Sequence, residues 1–141
     1  KNTMDKLLEF KALPIINEND TVATEEIKVG DNDTLSAMVA ININADLLIL
    51  LSDIDGLFTA DPHSDPTAKL ISVVSEINDD ILALGGGEGS SLGTGGMRTK
   101  LNAAQICTEN NCDMIIANGE DPDILYDIVE GKAVGTRFIR R

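Results

Sequence analysis

The aliphatic run Leu47-Leu48-Ile49-Leu50-Leu51 stops abruptly at Ser52-Asp53. Its apolar residues are consecutive rather than alternating, the pattern of a strand covered on both faces, and it predicts a central parallel strand. Met114-Ile115-Ile116-Ala117 predicts a second buried strand. Ile15-Ile16 after Pro14 predicts a short buried one, and Lys69 to Ile77 and Thr136 to Ile139 two more. Thr21 to Val29 alternates loosely and predicts a hairpin with Val22, Ile27 and Val29 as its apolar members.

Between these runs the apolar residues recur at helical spacing. Met4, Leu7 and Leu8 mark a helix over Thr3 to Ala12, stopped by Pro14. Leu35, Met38 and Val39 form the inner face of a helix over Thr34 to Asn44. Asn78 caps a short helix over Asp79 to Leu84. Met97, Leu101, Ala104 and Cys107 form a buried stripe on a helix from Met97 to about Asn110. Asp121-Pro122 opens a last helix, with Ile124, Leu125, Ile128 and Val129 facing inward and Gly131 ending it. Strands alternating with helices predict an α/β layered fold with a mainly parallel sheet, one domain and no internal repeat.

Chemistry concentrates where these elements meet. Seven of the chain's 12 glycines fall between Gly85 and Gly96, directly before the helix at Met97. A glycine turn feeding a helix start leaves backbone N–H groups free and aimed outward, which makes an anion site. Arg98 and Lys100 support that reading, because cations in a first helical turn oppose the helix dipole unless an anion is near. The alternative is a flexible Gly/Ser linker over Gly85 to Ser91, followed by an exposed basic helix start. Neither a Walker A sequence nor G-x-G-x-x-G can be aligned here.

A second polar cluster precedes the first strand. Asn17-Glu18-Asn19-Asp20 ends the Ile15-Ile16 run, and Asp31-Asn32-Asp33 precedes the helix at Thr34. One cap needs one such residue, so the surplus points to function. Asn17, Asp20, Asn32 and Asp33 suit a small polar molecule with an ammonium group. Ser52, Asp53 and the Thr94 to Lys100 turn suit a nucleotide, since ligands of open α/β sheets gather at the carboxyl ends of strands. An acceptor pocket opposite a phosphate site is the layout of phosphoryl transfer. Asp53-Ile54-Asp55-Gly56 is not a calcium loop, because Leu51 and Pro62 would occupy its first and last ligand positions.

Composition narrows the picture. A length of 141 residues with 43% apolar content supports one core, aliphatic because aromatic residues make up only 3%. The formal net charge of −13 argues against nucleic-acid binding. Cys107 and Cys112 fit no zinc pattern and read as buried reduced thiols, and His63 reads as an exposed loop residue. No apolar run approaches a membrane span and no signal peptide is visible, so a soluble, cytoplasmic protein is expected. The chain begins at Lys1 inside what reads as a helix, which suggests a fragment.

Four blocks then carry a resemblance. Pro14-Ile15-Ile16-Asn17-Glu18-Asn19-Asp20, Lys28-Val29-Gly30-Asp31-Asn32-Asp33, Gly56-Leu57-Phe58-Thr59-Ala60-Asp61-Pro62 and Gly93-Thr94-Gly95-Gly96-Met97-Arg98-Thr99-Lys100 resemble, in order, the glutamate 5-kinases of the amino acid kinase family. Ser52 and Phe58 stand where threonine and tyrosine are frequent. The resemblance implies a three-layer αβα sandwich and ATP-dependent phosphorylation of the γ-carboxylate of L-glutamate, the first step of proline biosynthesis. It implies that Asn17, Asp20 and Asn32 hold glutamate and that Asp33 orients the catalytic lysines. It implies that Ser52, Asp53, Thr94, Gly95, Gly96, Met97, Arg98, Thr99 and Lys100 bind ATP, with Lys100 neutralising the phosphoryl group in flight. It implies further that magnesium arrives with ATP and not as a resident metal, that proline is a feedback inhibitor, and that the enzyme is a homo-oligomer. The family's first strand and phosphate-contacting turn, with a second catalytic lysine, and the PUA domain of many members have no counterpart in residues 1–141. The chain therefore reads as the C-terminal part of the kinase domain, inactive alone, its sheet left with an uncovered edge. Another kinase of the family and a non-catalytic amino-acid-binding regulatory module are the alternatives.

Overall fold

The computed structural model describes residues 2–18, 31–86 and 95–141. Its elements are α1 (Asn2–Glu9), α2 (Asn32–Asn42), β1 (Leu47–Ser52), β2 (Val73–Val74), α3 (Asp79–Ala83), α4 (Gly95–Glu109), β3 (Asp113–Asn118), α5 (Ile124–Val129) and β4 (Thr136–Phe138). The four strands form one sheet in the order β1-β3-β4-β2. β1 runs parallel to β3, from Leu47 beside Asp113 to Ser52 beside Asn118. β4 runs antiparallel to β3 and parallel to β2, so the sheet is mostly parallel, as expected.

Side chains on a strand alternate between faces, and β3 divides its residues accordingly. Met114 and Ile116 join the larger core, with Ala37 and Ala40 of α2 and Leu101, Ala103, Ala104 and Cys107 of α4. Ile115 and Ala117 face the other way, onto Ile128 of α5. Helices on both faces of a sheet make three layers. The stripe expected on α4 is present, with Leu101, Ala104 and Cys107 fully buried and Met97 packed against the same core.

Two turns of one kind orient this frame. Asn44 and Asn111 both adopt left-handed backbone, with φ of 54° and 62°. Behind each, an N–H reaches back to cap the helix, Ala45 to the Ala40 carbonyl at 2.9 Å and Cys112 to the Cys107 carbonyl at 3.0 Å. Asparagine tolerates this conformation better than other residues with a Cβ, apart from aspartate. Such tight turns send each helix back along the strand that follows it. The first turns of α2 and α4 are thereby brought to the end of the sheet where β1 and β3 finish.

Several expectations are corrected. Ile15-Ile16 forms no strand, and the two residues are 93% and 44% exposed, since no described strand lies beside them to pair with their backbone. Among the described strands β1 lies at the end of the order and β3 inside it, buried from Asp113 to Ala117. The inner face of α2 is Ala37 and Ala40, while Met38 is 51% exposed, because close packing on α4 favours small side chains over long ones. The run Lys69 to Ile77 divides between two partners. Leu70 bridges Phe58, and only Val73–Val74 pairs with β4. On α5, Ile124 and Ile128 face the core but Leu125 and Val129 lie outward. The first helix ends at Glu9, well before Pro14, where Lys11 turns left-handed with φ 54°. Asn78 caps α3 as expected, accepting the Ile81 N–H at 3.0 Å. His63 is exposed in a turn, and both cysteines are buried free thiols. The hairpin over Thr21 to Val29 lies outside the described residues.

Candidate functional site

At the start of α2 the run of acids and amides separates into distinct tasks. Asp31 is the cap. Its carboxylate accepts the Thr34 N–H at 2.7 Å and the Thr34 hydroxyl at 2.8 Å. Asn32 and Asp33 are thus released from capping. Asn32 Oδ1 accepts the Glu18 N–H at 3.1 Å, and Asn17 Nδ2 donates to the Glu18 carbonyl at 3.1 Å. The segment after Pro14 therefore meets the first turn of α2 at Asn32 through Glu18, the residue next to Asn17. Asp20 lies outside the described residues.

The start of α4 meets the same place. Lys100 Nζ donates to Asp33 Oδ2 at 3.0 Å, with the two side chains 13% and 22% exposed. Thr99 Oγ1 sits 2.7 Å from the same oxygen and 2.9 Å from the Gly96 carbonyl. A hydroxyl has one proton, and the charged acceptor is the stronger partner. Helical side chains lean toward the N-terminus, which is how Lys100 reaches back over the first turn. The anion opposite its ammonium is the protein's own Asp33. That pairing explains why a lysine is tolerated so near the positive end of a helix.

The rest of the turn is more open. Arg98 Nη1 makes only a long contact, 3.5 Å, to the Gly86 carbonyl. The Met97 side chain belongs to the core, so only its backbone can face a ligand. A Cβ on Gly96 would meet nothing within 4 Å. The first N–H groups of any helix lack intrahelical partners, which leaves those of Gly95 to Met97 available to a ligand. Thr94 lies outside the described residues.

Ser52 and Asp53 line a separate open groove of about 570 Å³ at the carboxyl ends of β1 and β3. Ser52 Oγ donates to Asp53 Oδ1 at 3.1 Å. The facing wall is Asn118, Gly119 and Glu120, which sequence reasoning did not select. The signal was available: these residues end the second buried strand just as Ser52-Asp53 ends the first. Gly119 has no room for a side chain, since a Cβ would lie 2.9 Å from that of Leu51. Among the described residues, no cluster of three or more His, Cys, Asp or Glu converges to hold a metal. No described helix is long and apolar enough to cross a membrane.

The sheet is mostly parallel and covered on both faces, two helix starts are joined by a lysine–aspartate pair, and a groove lies at the strand ends. Residues 1–118 match the model of the amino acid kinase family, and the chain belongs to that family. It is 54% identical over 137 residues to the glutamate 5-kinase of Clostridium tetani, covering 97% of this chain and 51% of that protein. To the glutamate 5-kinase of Deinococcus radiodurans it is 54% identical over 139 residues, covering 99% of this chain and 38% of that protein. The chain spans about half, or less, of the length of these curated relatives. Among solved structures, carbamate kinase from Giardia lamblia bound to AMP-PNP superposes with a TM-score of 0.68 at 21% identity, over 99% of this chain and 49% of that one. That likeness shows the fold.

Proposed function

We propose that this chain is part of an enzyme that phosphorylates the γ-carboxylate of L-glutamate with ATP, yielding L-glutamyl 5-phosphate and ADP for proline biosynthesis. The observation that carries the reading is the Lys100–Asp33 pair. It joins the amino-acid cluster to the glycine turn at one partly buried point. In the reaction a γ-carboxylate oxygen attacks the γ-phosphorus, the bond from that phosphorus to the β,γ-bridging oxygen breaks, and ADP leaves with the electron pair.

Little covalent chemistry falls to the protein, so its work is positioning and charge neutralisation. Asp33 holds the Lys100 ammonium at a defined point, where it can meet charge building on the transferring oxygens. Asn17, Asn32 and Asp20 hold glutamate, the carboxylate taking its ammonium. The amides of Gly95 to Met97, which have no partner within the helix, together with Thr94 and Arg98, receive the phosphates. The groove at Ser52 and Asp53 takes the nucleoside, because the carboxylates of Asp53 and Glu120 on its walls accept from hydroxyl and amino donors but repel phosphate. A structure of the same fold, the Giardia lamblia carbamate kinase, was solved bound to AMP-PNP, which supports a nucleotide as a ligand of this fold.

Magnesium, which shields phosphate charge, enters on the nucleotide. It commonly binds through one or two protein carboxylates with the phosphates and water, which suits a site without an acidic cage. Residues beyond this chain supply the remaining phosphate contacts and a second lysine, so residues 1–141 alone do not turn over. A homo-oligomeric, cytoplasmic enzyme inhibited by proline completes the proposal.

The test is acyl-phosphate trapping. The full-length protein, given ATP, magnesium, glutamate and hydroxylamine, is expected to form glutamyl hydroxamate with one ADP per product. Aspartate, N-acetylglutamate and carbamate should give none. Glutamate binding without turnover would favour a regulatory module instead.

A further inference from the structure

The turn that carries Ser52 and Asp53 is anchored at three points, and one of them has no counterpart in the motifs read from the sequence. At its near end the Ser52 carbonyl accepts the Gly119 N–H at 2.8 Å, continuing the β1–β3 ladder. At its far end the buried Thr136 hydroxyl accepts the Leu57 N–H at 2.8 Å and donates to the Ile71 carbonyl at 2.7 Å. Gly56 packs on that hydroxyl so closely that a Cβ would come within 2.5 Å of it. Between these ends Ile54 packs against the larger core, while Asp53 and Asp55 on either side of it are exposed. Only one described side-chain bond crosses from β3 to hold the turn: Asn118 Nδ2 donates to Asp55 Oδ1 at 2.9 Å.

The other end of that carboxamide is engaged as well. Asn118 Oδ1 accepts the Glu120 N–H at 2.9 Å. This sets the orientation of the amide, oxygen toward Glu120 and nitrogen toward Asp55. One side chain therefore ties the turn after β1 to the turn after β3, and those two turns are the walls of the groove.

We propose that Asn118 is a positioning residue for the nucleotide: through Asp55 it sets the spacing between the Ser52-Asp53 wall and the Asn118 to Glu120 wall. This rests on the reading that the groove receives the nucleoside. Without the bond the turn loses its one described side-chain hydrogen bond to β3 and keeps only the packing of Ile54, so Asp53 is held less firmly beside Asn118 to Glu120. Binding of the nucleotide then has to order the turn, a cost that falls on nucleotide affinity and not on the glutamate pocket.

The experiment uses the full-length protein and the variants Asn118→Ala, Asp55→Ala, Asn118→Asp and the exchange Asn118→Asp with Asp55→Asn. Asn118→Ala and Asp55→Ala are each expected to raise the KM for ATP about five- to tenfold, the scale of one ordinary hydrogen bond at an exposed site. The KM for glutamate, kcat and Tm should stay near wild type. Asn118→Asp sets two carboxylates against each other and should be worse than Asn118→Ala. The exchange restores one donor and one acceptor and should recover most of the loss. AMP-PNP calorimetry on the same set is expected to follow the ATP effects. The inference is overturned if Asn118→Ala leaves ATP and AMP-PNP binding unchanged, if both substrates weaken equally, or if the exchange is no better than its single variants. Should the unmodified protein bind AMP-PNP but not phosphorylate glutamate, the proposed reaction falls while the AMP-PNP titrations still decide the role of Asn118. Failure to bind AMP-PNP at all removes both.

Discussion

Asp33 and Asp113 each anchor cations, at opposite ends of the parallel strand pair, and they do so in contrasting ways. Asp113, at the start of β3, is saturated. One oxygen accepts from Arg137 Nε and Nη2, and the other accepts the Arg140 N–H at 2.9 Å. Arg140 also reaches Asp46 and the Asn111 carbonyl, both at 3.3 Å. The Asp113 side chain is 9% exposed, and the arrangement staples the end of the chain to the sheet. Asp33 takes both of its donors, Lys100 and Thr99, on a single oxygen and remains more open. A carboxylate with all its acceptor sites used can only hold structure. One that uses a single oxygen among the described residues, beside a lysine at the start of a helix, can also hold a reactant.

The widest separation between the two is expected from Lys100→Ala in the full-length enzyme. It should lower kcat by about 10²–10³, the usual effect of removing one charge-stabilising donor, with little change in Tm. Steady-state kinetics checks this, and an unchanged kcat would reduce the Lys100 pair to a second staple.

Asp113→Ala should behave in the opposite sense. It leaves two guanidinium groups without their buried partner and should cost about 2 kcal/mol of stability, read by urea unfolding, while kcat is kept. The same residue carries a pH signature. Burial pushes its carboxyl up, but the Arg140 N–H, the Arg137 hydrogen bonds and both guanidinium charges outweigh burial and hold it below its ordinary value of 3.8. A carboxyl lowered in the folded state adds stability above its unfolded pKa and loses it as pH falls through the folded value. The stability gap between wild type and Asp113→Asn should therefore be full above about pH 4 and shrink as the pH drops further. A gap independent of pH would deny the ion pairs their role.

The smallest effect tests the Asp33 site from its third member. Thr99→Val keeps the shape and deletes the hydroxyl, and should lower kcat about three- to tenfold. Thr99→Ser should recover most of it. A loss confined to Tm would make Thr99 structural.

Much of this was legible in the linear chain because it depends on neighbours in sequence. Periodicity placed α4 and its buried stripe, β3, and the Asn78 cap, since helix and strand patterns repeat within a few residues. The surplus of acids and amides before α2 was visible against the single cap that a helix needs, and Asp31 proved to be that cap. What could not be read was which apolar residues face inward on α2, which side of α5 is covered, and which strand is central. Those depend on the partner, not the segment, and alanines carry a tight helix contact without registering as strongly apolar.

The site divides along the same line. The sequence by itself determined which groups are available: an ammonium after a glycine turn, a surplus carboxylate before a helix, polar residues at the end of an aliphatic strand. Only the tertiary structure decided that Lys100 meets Asp33 across 67 positions, that Thr99 shares the same oxygen, and that Asn118 reaches Asp55 in the turn after β1. The reason is that a few ångströms set the strength of a hydrogen bond or ion pair, and separation along a chain carries no information about distance once two short turns have folded the helices back over the sheet.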